Sequence, residues 1–494
     1  MMAGEYIPLL VAVPLAGAFV CALAARKSGA LADIIGTLIA ALVLALSIYA
    51  VFSPPSTHAV GGWPAPLGIL LVMDGLASLM LLVISLVAFL VMIYSLSYMN
   101  AYSGRWQFHT LFLLMLAGMN GVVITGDLFN LFVFLEVASL ASYALVAFGT
   151  GKHELEAAFK YAVMGSLGSL LLLLGIAFLY GYTGTLNMAH MAERLGELGG
   201  APITVTALVL LLSGFALKAA IVPFHSWLPD AHPSAPAPIS AMLSGVLIKS
   251  LGVYTIARLV FNVYGASPDL LNLLMVLGAV SMGIGVILAL RQWDMKRLLA
   301  YHSVSQVGYM ILGFGLGSPL GILGGLFHLF NHSIFKSLLF LNSGALEQAT
   351  GTRNLKEMGG LSGRMPTTSW TTLAASMSIS GVPPFSGFWS KLIIVMACVE
   401  QGKWFYGAWA ILVSILTLAS FLKVTKFAFL GKLGKGFENV REVPWPMRFG
   451  MAVLALLCIV GGLMLVPEVK EMVLAPAVRV LDHGILTLGE VVRL

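Results

Sequence analysis

Apolar runs of about 18 residues or more recur from one end of this chain to the other, and each is long enough to cross a bilayer as a helix. In hydrocarbon every backbone N–H and C=O must bond within the segment, so such runs become helices or closed barrels. The pattern predicts spans near 6–25, 31–52, 70–98, 108–126, 127–149, 155–182, 203–228, 235–263, 269–290, 295–316, 319–348, 367–398, 405–430 and 447–468. The expected fold is therefore an all-α polytopic membrane protein with about fourteen transmembrane helices, not several soluble domains. Composition agrees: 59% of the 494 residues are hydrophobic and 10% charged, against about 25% charged in a soluble domain. The first run lacks the basic leading segment of a signal peptide and reads as a retained helix.

A net charge of +6 could point to nucleic acid, but the placement of the cations argues otherwise. Arg26, Lys27, Arg105, Lys152, Arg291, Lys296, Arg297, Arg353, Lys356, Arg364, Lys432, Lys435 and Arg441 fall in alternate loops, whereas the opposite loops keep scattered cations such as Arg194 and Lys403. The positive-inside rule then predicts a cell inner (plasma) membrane protein with both termini outside. Cys21, Cys398 and Cys458 lie far apart within apolar runs. No CxxC pair or Cys/His ladder is present for a cluster or zinc, and no phosphate-binding loop follows a strand-like run. No cofactor, metal or nucleic-acid partner is expected.

Two spans are interrupted. Pro223 breaks SGFALKAAIVPFHSWLP at 213–229, and Pro383 with Pro384 breaks SISGVPPFSGFWSKLII at 378–394. Proline removes a backbone donor and clashes with the preceding turn. Paired breaks in corresponding spans point to an inverted repeat with a transport path at its interface. The breaks fall five spans apart. They divide the chain into 1–107, a five-helix unit at 108–263, a second at 269–430, and the last helix and tail at 431–494.

Charges inside the spans carry the chemistry, because each costs at least a few kcal/mol in hydrocarbon. Glu136 lies within the fifth span, Lys218 before the first break, Lys249 in the eighth span and Lys391 after the second break. Lys423 sits near the inner end of its span among Lys426 and Lys432, where snorkelling to the interface or one structural ion pair is the plainer reading. Two unit charges about 4 Å apart attract by about 4 kcal/mol at an effective dielectric of 20. A Glu136–Lys218 pair within that reach would hold a proton when close and release it when parted. His328 and His332 share one helix face, with Lys336 a turn further on. They fit a proton relay, structural hydrogen bonds or metal ligation, although two histidines stacked on one helix cannot be opposite axial ligands of one haem. His225, Asp230 and His232 either line a proton entrance or cap helix ends in solvent. Asp74 and Asp127 read as N-terminal helix acids.

With these residues in place, the chain resembles a known family. The segments MDGLASLMLLVISLVAFLVMIYSLSYM, GDLFNLFVFLEV, KYAVMGSLGS with TGTLNMA, FHSWLPDAHPSAPAPISAMLSGVLIKSLGVY, RLLAYHSVSQVGYMILG and GVPPFSGFWSK are similar to the antiporter-like proton-pumping subunits of respiratory complex I, membrane-bound energy-converting hydrogenases and Mrp-type sodium/proton antiporters. The stretches near 126–137 and 160–189 look most like the Mrp D subunit. The HSWLPDAHPSAPAP loop and FHLFNHSIFKSLLFL look more like complex I and hydrogenase subunits. The stretch after the last span is too short for the long lateral helix of the largest complex I subunit, so the smaller subunits are the better match. The resemblance implies fourteen core helices, a Glu136–Lys218 pair, and a relay through Lys249, His328 and His332 to Lys391. It also implies protons entering from the cytoplasm and leaving beyond Lys391, with sodium exchange as the Mrp alternative. The implied partners are other membrane subunits and peripheral redox subunits; the chain itself would be the ion-translocating subunit of an oxidoreductase complex, with no redox centre of its own.

Overall fold

The structure is a computed structural model and describes residues 4–24, 28–434 and 436–484. The termini and the loop cations Arg26, Lys27 and Lys435 lie outside the described residues. The first half of the chain is α1 (Leu9–Ala24), α2 (Gly29–Phe52), α3 (Gly75–Tyr98), α4 (Arg105–Ile124), α5 (Leu128–Val146), α6 (Lys152–Thr183), α7 (Met188–Leu198), α8 (Pro202–Ala219), α9 (Leu228–Ser234) and α10 (Ala237–Val263). There follow α11 (Pro268–Leu290), α12 (Met295–Gly315), α13 (Pro319–Thr350), α14 (Pro366–Ser380), α15 (Ser386–Glu400), α16 (Trp404–Phe429), α17 (Trp445–Leu465) and α18 (Pro467–Asp482). A short antiparallel hairpin, β1 (Ser56–Ala59) and β2 (Leu70–Met73), joins α2 to α3 with Ser56 opposite Met73.

Among the described residues ten helices are long and apolar enough to cross a membrane. The all-α polytopic expectation is met, whereas the count of fourteen is not reached by length and composition. The helices that fall short have physical reasons. α14 and α15 are two 15-residue halves of a broken segment, and α13 carries His328, Asn331, His332, Lys336 and Asn342. α10 and α13 form the centre: α10 is buried along its length, and α13 is buried from Gly321 to Leu346.

Both breaks are backbone events whose freed groups find partners. After α8, Ala220 adopts left-handed φ 56°, and the Trp227 indole donates to the freed carbonyl of Leu217 at 3.0 Å. After α14, Gly381 takes φ 73°, and the freed carbonyls of Ile379 and Ser380 accept from Lys391 Nζ at 2.7 Å and Ser414 Oγ at 2.8 Å. Buried interruptions of a membrane helix require such substitutes.

A local motif occurs twice, and the second copy lies 167 residues after the first (127 to 294, 183 to 350, 187 to 354). Asp127 caps α5 by accepting from Asn130 N at 2.7 Å, and Asp294 caps α12 by accepting from Arg297 N at 2.9 Å. Each lies in a β-bridge, Asp127 with Asn187 and Asp294 with Asn354, that follows a 32-residue helix, α6 or α13. The strings closing those helices, Thr183–Gly184–Thr185–Leu186–Asn187 and Thr350–Gly351–Thr352–Arg353–Asn354, match at four positions. α6 begins on the face that carries Asp294, where His153 and Asp294 line one cavity, and reaches the other bridge about 48 Å away. The two copies therefore sit at opposite ends of the bundle.

Candidate functional site

α5, α6 and α8 bring Glu136, Ser169 and Lys218 together. Lys218 Nζ lies 3.6 Å from Glu136 Oε1 and donates to Ser169 Oγ at 3.0 Å, Ser139 Oγ at 3.2 Å and the Tyr143 hydroxyl at 3.3 Å. Ser169 in turn donates to Glu136, so one hydroxyl bridges amine and carboxylate. The lysine side chain is 4% exposed and the carboxylate 27%, and such a pair is worth about 4 kcal/mol before solvent screens the carboxylate. Tyr161 stacks on Trp227 at 4.3 Å and meets the Tyr143 ring edge-on at 4.5 Å. This aromatic column joins the break to the ion pair.

Lys249 lies in a π-helical turn, Lys249–Val253, separated by Ile248 alone from another at Leu243–Leu247. Its ammonium folds back along α10 and donates to the carbonyls of Ser244 and Gly245, both at 2.5 Å. π-turns leave carbonyls without their α-helical partner and recur at functional sites. Ser244 meets Ser303 of α12 at 2.6 Å. No hydrogen bond connects Lys218 to Lys249 among the described residues.

His328 and His332 are both fully buried, with ring centroids 6.3 Å apart. His328 Nδ1 bonds Ser390 Oγ at 3.0 Å, while His328 Nε2 and both nitrogens of His332 have no protein partner among the described residues. The His328 ring lies 5.4 Å from the Tyr309 ring, whose face the Lys391 ammonium meets at 4.7 Å. Gln306 and His302 on α12 add further unpartnered buried atoms to this seam, and His302 Nε2 bonds Ser420 Oγ at 2.9 Å. Lys336 donates to the Leu299 carbonyl at 2.5 Å. Lys391 ends the seam, 3.2 Å from Ser414 Oγ and 4.7 Å from the Tyr309 ring centroid, beneath a crevice of about 360 Å³.

The three residues read as an entrance or as solvated caps do not stay together. His225 belongs to the turn inside the first break. Asp230 is at the surface, paired with Lys160 at 3.4 Å and Arg297 at 3.7 Å. His232 is fully buried, with neither ring nitrogen partnered by protein among the described residues, so solvent capping does not describe it. Asp74 and Asp127 cap helices, and Asp74 also pairs with buried Arg258 at 2.7 Å. Lys423 donates to the carbonyls of Leu290 and Gln292 at 2.8 and 2.6 Å, closing the C-terminus of α11. Sequence reading missed Ser169, Tyr143, Arg258 and the Lys296–Glu347 pair; partners that are distant in sequence leave no spacing signal.

Residues 125–418 match the family model described as NADH:quinone oxidoreductase/Mrp antiporter, TM, and residues 59–109 match one described as NADH-Ubiquinone oxidoreductase (complex I), chain 5 N-terminus. The chain is 34% identical over 454 residues to the D subunit of the Na(+)/H(+) antiporter of Alkalihalophilus pseudofirmus, covering 90% of this chain and 92% of that one. It is 39% identical over 407 residues to the N subunit of the NADH-quinone oxidoreductase of Desulforudis audaxviator, covering 81% of each. A chain in the structure of the Mrp complex from a Dietzia species superposes with a TM-score of 0.91 at 30% identity, covering 99% of both.

Proposed function

The chain belongs to the NADH:quinone oxidoreductase/Mrp antiporter family of membrane subunits, and we propose that it translocates protons within a redox-driven complex. The observation that carries this reading is the Glu136–Lys218 pair, bridged by Ser169, with Lys218 two residues before the break that follows α8 at Ala220. Energy from partner subunits parts the pair, and Lys218 gives up or takes a proton as the charge beside it changes. The relay runs on through Lys249, His332 and His328 to Lys391. The partners are other membrane subunits and peripheral redox subunits. The face that carries Lys160, Arg297 and Arg353 is cytoplasmic in a plasma membrane, and both termini lie outside. The units 108–263 and 269–430 form an inverted repeat, supported by the two copies of the Asp/Thr-Gly-Thr-Xaa-Asn bridge at opposite ends.

Lys218→Ala in the intact complex should abolish coupled pumping while assembly persists, measured as acidification per electron pair in sealed vesicles. Unaltered pumping would overturn the reading. A second reading is sodium/proton exchange, favoured by the 34% identity to the D subunit of an Na(+)/H(+) antiporter over 90% of the chain. Sodium-dependent proton flux without any electron donor would select it.

A further inference from the structure

The face that carries the Asp294 bridge opens into a cavity of about 340 Å³ whose lining includes Lys160, Asp230, Asp294, Arg297 and Arg353. One side chain joins this mouth to the interior. Glu347, near the end of α13, lies with Oε1 3.6 Å from the Arg353 guanidinium and Oε2 3.1 Å from Lys296 Nζ. Arg353 and Glu347 are each 31% exposed, whereas Lys296 is 3% exposed. The carboxylate therefore spans the boundary between solvent and core. Arg353 also pairs with Asp294 at 3.2 Å and so is held from both sides.

Inward of Glu347 the polar groups continue. Lys296 donates to the Ala235 carbonyl at 3.0 Å and Arg353 to the Pro233 carbonyl, fixing the segment that directly follows His232. That ring is fully buried against Phe340 at 4.9 Å, with both of its nitrogens free of protein partners among the described residues. The Lys249 ammonium is turned back toward Ser244 and Gly245, toward the end of α10 nearest this segment.

We propose that Glu347 is a proton carrier between this mouth and Lys296, with Arg353 as the latch that holds it at the mouth. The inference rests on the proton-translocation reading. A proton taken up at Glu347 cancels its charge and loosens both ion pairs. It passes to Lys296 once that amine has given its own proton to His232, and Glu347, ionised again, returns to Arg353. No covalent change other than proton transfer is involved.

The test uses the intact complex in sealed vesicles of one orientation, with proton uptake from the Arg353 face followed by an entrapped dye. Glu347→Gln should slow driven uptake by about 100-fold or more, the usual scale for loss of one proton-transferring group. Glu347→Asp should stay within about tenfold of wild type, because the carboxylate survives. Arg353→Gln should raise passive leak in the undriven complex. A Glu347→Asp rate as low as that of Glu347→Gln would reduce Glu347 to a structural ion pair and overturn the proposal. Full uptake in Glu347→Gln with none in Lys218→Ala would sink the carrier and spare the translocation reading; full uptake in both would sink the reading itself. If Glu347→Gln fails to assemble, unchanged leak in Arg353→Gln decides against the proposal.

Discussion

Lys218 and Lys391 both lie beside a helix break, and they are held in different ways. Lys218 faces a carboxylate, and its break is closed by an indole, Trp227, that leaves the amine free. Lys391 closes its own break by donating to Ile379, and its other neighbours are a hydroxyl and an aromatic face. The position 167 residues beyond Glu136 is Ser303, which bonds another serine. The two halves thus reuse one backbone scheme with different chemistry. A charge on Lys218 is stabilised by an opposite charge, whereas a charge on Lys391 is stabilised, among the described residues, by dipoles. The first suits loading under control of a partner's motion, and the second suits release.

That contrast can be broken by giving Lys391 a carboxylate. Ser414→Asp places one beside the ammonium, where the attraction is about 4 kcal/mol at an effective dielectric of 20. Turnover of the intact complex should fall by roughly 100- to 1000-fold, since each 1.36 kcal/mol is tenfold. Unchanged turnover would mean that proton release does not pass Lys391. Removing the bridge on the other side should cost less. Ser169→Ala deletes one hydroxyl bonded to both charges, worth about 1.5–3 kcal/mol, so coupled flux should drop roughly 10- to 100-fold. A smaller fall in Ser169→Ala than in Ser139→Ala would identify Ser139 as the operative link. The weakest effect belongs to the lysine that closes a helix without belonging to the relay. Lys423→Met should lower stability by about 1 kcal/mol through loss of a cation at the C-terminus of α11, seen as a reduced thermal midpoint at unchanged flux. Lost flux at unchanged midpoint would move Lys423 into the relay.

Much of this was legible in the sequence because hydrocarbon penalises charge and broken backbone so heavily. Lys218 and Lys391 stood out by lying near prolines within apolar runs. His328 and His332 stood out by their spacing of four. What stayed hidden was pairing. Nothing in the string ties Ser169 to Glu136 across 33 residues or Arg258 to Asp74 across 184. His232 lies next to charged Asp230 in a proline-rich loop, which reads as surface, and only packing against Phe340 at 4.9 Å shows it to be core. The Thr-Gly-Thr-Xaa-Asn repeat was visible as letters, but its meaning required the bridge that each copy makes.

The π-turns of α10 carry a further consequence, for how such a helix changes over generations. Each π-turn is an α-helix with one residue too many, and three of them occur between Leu243 and Val263. The wide turn absorbs its surplus residue, so deleting one from Lys249–Val253 restores the ordinary pitch and leaves the flanking turns in register. Deleting one from the ordinary turn Tyr254–Ala257 instead rotates everything on one side by about 100° relative to the other, and Arg258 would leave Asp74 if Lys249 kept its place. A relative can therefore lose a residue at a π-turn of this helix, but a change of length elsewhere in it has to move its lysine or its ion pair as well.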